Sequence, residues 1–73
     1  MIELTGCEAV LLREIADRTL RQQDVAKTYR LAMESSESLT MDWRRVNDAI
    51  ITRWSVSGLQ RIKQMAVTGN FPR

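Results

Sequence analysis

Histidine is absent from this 73-residue chain, cysteine occurs once, at Cys7, and the single proline stands at Pro72. Without histidine the commonest general acid–base group near neutral pH is missing. One thiol and no imidazole cannot assemble a metal cluster of nitrogen and sulfur ligands. An internal disulfide is excluded too, and a lone thiol fits a reducing, intracellular setting better than a secreted one. Glycine occurs only at 6, 58 and 69, each isolated, so no phosphate-cradling loop exists. The longest apolar run is Ala9-Val10-Leu11-Leu12, far short of the ~20 residues that span a bilayer. Residues 1–18 carry no basic segment followed by an apolar run, so no signal peptide is expected. Cys7 falls in the first turn of an expected helix, but a nucleophile needs a base and an orienting group, and no candidate base is in sight. These absences predict a non-enzymatic, cytoplasmic chain with no cofactor, no metal and no membrane span.

What is present has one period. Apolar residues recur at helical spacing throughout, and strand-like alternation never lasts beyond a few residues. The expected fold is all-α, a compact bundle of three or four short helices forming a single domain over residues 1–73. The helices are expected at about 5–20, 22–34, 42–54 and 56–68, with a loop at 35–41. A hydrophobic share of 44% and a charged share of 27% are ordinary for a globular chain and argue against wholesale disorder.

Local signals mark the ends. Thr5 and Glu8 match a capping box, and Leu12, Ile15, Ala16 and Leu20 form the first stripe, widened by Leu11. Glu14 with Arg18 and Asp17 with Arg21 stand at i,i+4 spacing. The stripe is interrupted at Arg21-Gln22-Gln23-Asp24 before Val25, Ala26, Tyr29, Ala32 and Met33 resume it. Thr19 with Gln22 reads as a second capping box, which favours two helices over one long helix through residues 5–34. Serines at 35, 36 and 38 compete for backbone hydrogen bonds and end that helix. Asp42 is a good N-cap, with Met41 and Val46 at staple positions. Trp43, Val46, Ile50 and Trp54 make the third stripe. Ser55 reads as the cap of the last helix after a short turn, Ser55-Val56-Ser57. Leu59, Ile62 and Ala66 continue inward with Met65 beside them. Gly69 stands where a left-handed C-cap is expected, and Pro72 prevents continuation.

Charge is unevenly spread. Residues 1–40 hold seven acidic and five basic side chains, whereas residues 41–73 hold two and six. The basic half points mildly to an anionic partner, or to packing against the acidic half of the same or a second molecule. Across residues 46–67 the chain resembles the helix-turn-helix DNA-binding domains. Ala49, Trp54, Leu59 and Ile62 fall at that family's small and hydrophobic offsets. Arg53 stands where the family prefers glycine, and Asp48 where it prefers an apolar residue. The resemblance implies a small DNA-binding regulator in which Gln60, Arg61 and Gln64 reach base edges with Lys63 at their border. Gln and Arg suit adenine and guanine edges, and Arg44, Arg45 and Arg53 would meet phosphates of double-stranded DNA.

The competing expectation is an adaptor or inhibitor that binds a protein and no nucleic acid. Trp43, Trp54, Tyr29 and Met33 are its candidate interface residues, because Trp and Tyr anchor interfaces and Met adapts to irregular ones. At least one of the tryptophans equally fits the core. A domain this small buries a modest core, so self-association into a homo-oligomer is also expected.

Overall fold

Three α-helices and a short 3₁₀ turn follow one another: α1 (Cys7–Ala16), α2 (Gln22–Glu34), the turn Ser36–Leu39 and α3 (Trp43–Thr68). The computed structural model describes residues 6–71, and no strand occurs among them. The Thr5 cap falls outside the described residues. Within them Gly6 occupies the N-cap with no side-chain bond. Among the described residues, the Glu8 carboxylate accepts the Asp42 amide at 3.1 Å. This bond ties α1 to the start of α3.

α1 stops four residues short of the expected Leu20, and the reason is tertiary. The Arg53 guanidinium donates to the carbonyls of Glu14 at 3.2 Å and Ile15 at 2.7 Å, and to that of Leu20 at 2.7 Å. Helix ends leave carbonyls without intrahelical partners, and a planar fork from another helix serves several at once. Asp17 then closes the corner, accepting the Thr19 amide at 2.9 Å and its hydroxyl at 2.7 Å. Thr19 is therefore not a helix cap. α2 begins at Gln22, where Asp24 accepts the Arg21 amide at 3.1 Å. The i,i+4 pairs expected on α1 are displaced as well: Glu14 accepts from the Thr28 hydroxyl instead.

α3 comprises two helical stretches that meet at a sharp kink, where the sequence predicts the join between two helices. Ser55 alone leaves helical geometry, at φ 72° and ψ 178°. That region is essentially reserved for glycine and costs a serine about 1–3 kcal/mol. Val56 and Ser57 are already helical, so the expected three-residue turn contracts to one residue. The local sequence helps, since Ser55-Val56-Ser57-Gly58 are all weak helix formers. Gly58 is required by the bend: a Cβ there would lie 2.3 Å from the Trp54 Cβ. We refer to residues 43–54 and 56–68 as the first and second arms of α3.

The core draws on every helix. Leu11 and Ile15 of α1, Val25, Ala26, Tyr29 and Ala32 of α2, Val46 and Ile50 of the first arm, and Leu59, Ile62, Met65 and Ala66 of the second are buried together. α1 and the first arm run alongside one another in the same direction, since Glu8 meets Asp42 at one end and Ile15 meets Arg53 at the other. The left-handed cap expected at Gly69 is present, at φ 74°. Arg30 completes it by donating to the carbonyls of Ala66 at 2.6 Å and Val67 at 3.1 Å. No helix among the described residues is long and apolar enough to cross a membrane.

Candidate protein interface and the exposed ridge

Three side-chain pairs, each one helical turn apart, converge on a single groove. Tyr29 and Met33 come from α2, Trp43 and Asn47 from the first arm, and Lys63 and Val67 from the second. Residues at i and i+4 share a helix face, so each element presents one such pair to the groove. That residues 43 and 47 border the same space as 63 and 67 is a consequence of the bend at Ser55. In a straight helix they would stand about 30 Å apart.

The aromatic wall is held rigidly. The Tyr29 hydroxyl donates to Asn47 Oδ1 at 3.0 Å, and Trp43 Nε1 donates to the Ser38 carbonyl at 2.8 Å. Their rings lie 5.0 Å apart at a tilt of 52°, within the favourable range for aromatic pairs. Burial pushes the Tyr29 hydroxyl above its ordinary value, so it stays protonated and keeps donating. The opposite wall is exposed and apolar: Met33 is 39% and Val67 65% accessible. The groove measures about 270 Å³. This falls just under the ~300–1,000 Å³ of typical small-molecule sites.

Tyr29, Met33 and Trp43, three of the four interface candidates, therefore meet in one place. Trp54 does not join them. It lies in a second, larger groove of about 740 Å³ between α1 and the first arm, with Leu12, Ala16 and Ala49. There the Arg53 guanidinium covers its ring at 4.0 Å. Sequence reasoning missed Asn47 and Val67. The i+4 spacing from Trp43 and from Lys63 was their only signal, and it acquires meaning only once the arms fold together.

The candidate nucleic-acid residues separate into different situations. Gln60, Arg61, Lys63 and Gln64 are all exposed on the second arm. Gln60 and Gln64 form its outer crest, being one turn apart and opposite the buried Ile62 and Met65. Arg61 and Lys63 are two residues apart and so fall on opposite flanks. Arg61 leans toward α2, 3.5 Å from Gln22 Oε1, and Lys63 borders the groove. On the first arm Arg44 is exposed, whereas Arg45 lies 3.9 Å from the Glu8 carboxylate. Arg53, expected to meet phosphates, is occupied with three backbone carbonyls. It needs no left-handed backbone, because the positive φ falls two residues later, at Ser55.

Comparison with family models, curated proteins and solved structures finds no match to this chain.

Proposed function

We propose that this chain is a helical protein–protein interaction module that seats a segment of a partner in the groove between α2 and the two arms of α3. The observation that carries this reading is the convergence of Tyr29, Met33, Trp43 and Val67 on one groove with a rigid aromatic wall and an exposed aliphatic one. Lys63 at the rim makes the complementary segment an apolar anchor flanked by a carboxylate. Rigid aromatics suit such an anchor because they lose little conformational freedom on binding, and Met33 adapts to its shape. Selection of a displayed peptide library on the purified chain tests this. Enriched peptides should carry an apolar residue next to Asp or Glu. Met33→Glu and Val67→Glu should weaken them about tenfold or more, the scale of an interface hot spot. Leu31→Glu is the control, since Leu31 is equally exposed but on the outer face of α2. Enriched peptides that bind Val67→Glu as well as the parent chain would sink the reading.

A second reading, DNA binding, rests on the exposure of Gln60, Arg61 and Gln64 on one arm. With Arg53 occupied and Arg45 beside Glu8, the cations left to meet phosphates on α3 are Arg44, Arg61 and Lys63. About three phosphate contacts would give a log–log salt slope near −3. Absence of retardation of mixed-sequence duplex at micromolar protein and low salt removes this reading.

A further inference from the structure

We infer that the second arm of α3 exchanges between two copies of this chain, with Ser55 as the hinge. In the exchanged form Ser55 turns helical, Trp43–Thr68 becomes one continuous rod, and each copy's residues 56–68 pack into the place left by the other's. This inference is independent of the groove reading above.

Four features lead to it. Ser55 is a non-glycine residue at φ 72° and ψ 178°, and among the described residues its hydroxyl makes no hydrogen bond that would offset the strain. Strained, minimal hinges favour exchange, because opening releases the strain and the closed contacts are recovered in the partner. The connection is a single residue, so correcting its φ and ψ alone joins two helices already in place. A rod of 26 residues extends about 39 Å, which carries Ile62 and Met65 about 10 and 15 Å past Ser55 and away from their own α2. Finally, among the described residues the contacts that hold the second arm can all be supplied by a second copy: its core residues, the Arg30 bonds to the carbonyls of Ala66 and Val67, and the Arg61 approach to Gln22. The groove survives exchange, its Lys63 and Val67 coming from the second copy.

Gly58 makes the inference testable in both directions. Its missing Cβ is needed only in the bent form, where Trp54 Cβ would stand 2.3 Å away. In a continuous helix the Cβ atoms of residues 54 and 58 would be about 5–6 Å apart. Gly58→Ala and Ser55→Ala therefore disfavour the bend and favour the rod, whereas Ser55→Gly relieves the bend and weakens the rod.

Each variant would be refolded at high concentration and sized by analytical ultracentrifugation. The dimer dissociation constant should be about tenfold or more lower for Ser55→Ala than for Ser55→Gly, with Gly58→Ala on the dimer side. Exchange is told from side-by-side association by spin labels at positions 44 and 64 in a Cys7→Ser background. The labelled chain is diluted into excess unlabelled chain, so that only distances within one chain are read. The dimer should show a separation near 30 Å, from 20 residues at about 1.5 Å each, and the monomer a much shorter one. Monomers for both Ser55→Ala and Gly58→Ala, or dimers that keep the short separation, overturn the inference. Should Gly58→Ala fail to fold, Ser55→Ala and Ser55→Gly still decide it.

Discussion

The chain changes direction at two corners that are stabilised in different ways. Between α1 and α2, residues 17–21 turn with their polar groups satisfied: Asp17 takes Thr19, Asp24 takes Arg21, and Arg53 takes the carbonyls of Glu14, Ile15 and Leu20. Between the arms of α3, one serine turns with positive φ and no side-chain hydrogen bond among the described residues. The corners are not independent. Arg53 and Trp54 immediately precede Ser55, and Arg53 both anchors the first arm to α1 and covers the Trp54 ring. Strain of this kind persists only where the surroundings over-determine it. Here the relaxed corner supplies the anchorage that keeps the strained one in place.

The largest effect on the coupling of the two corners is expected from Arg53→Ala. It leaves three carbonyls without their charged donor and should cost about 2–4 kcal/mol in urea denaturation, given the strength of bonds to charged groups. Arg53→Lys should recover only part, because an ammonium cannot span the three acceptors as a planar fork does. A loss below about 0.5 kcal/mol, the range of ordinary surface substitutions, would show that the corners are uncoupled. Ser55→Gly acts in the other direction. Measured in dilute solution, it should stabilise the monomer by about 1 kcal/mol by relieving the positive φ, with the cost of a more flexible unfolded chain offsetting part of the strain released. No gain would mean that Ser55 bears little strain.

The smallest effect belongs to Asp17. Hydrogen bonds from the Thr19 hydroxyl and amide, with the nearby Arg53 charge adding to them, hold its carboxyl below the ordinary value of 3.8. A depressed carboxylate contributes stability that is present above its unfolded value and lost as pH falls through the folded one. Asp17→Asn should therefore flatten the fall in stability on acidification below 3.8 and leave the neutral range nearly unchanged. An acid profile identical to the parent's would remove Asp17 from the account of the first corner.

Much of the helical framework was legible along the chain because its causes are local. Val25, Ala26, Tyr29 and Ala32 mark the inner face of α2 by spacing alone. Asp42 caps α3 by accepting the Arg45 amide at 3.1 Å, as its side chain and position suggest. Gly69 ends α3 because glycine tolerates the left-handed cap. Exposure of Gln60 and Gln64 likewise follows from their place opposite Ile62 on the helix.

The candidate site was legible only in pieces. Tyr29, Met33 and Trp43 could be named from side-chain type, but nothing in their spacing says that they share a groove or that Trp54 lies outside it. Arg53 looked like a phosphate contact because an arginine on an amphipathic helix carries no mark of its acceptors, which here lie more than thirty residues away in sequence.

Periodicity, caps and glycine act over one or two turns, so they suffice to place the helical segments, their apolar faces and the end of α3. Only the tertiary structure decided where α1 stops, that Ser55 rather than a three-residue turn makes the bend, and which side chains meet. Those outcomes depend on contacts between distant segments, and such contacts form only when the helices pack.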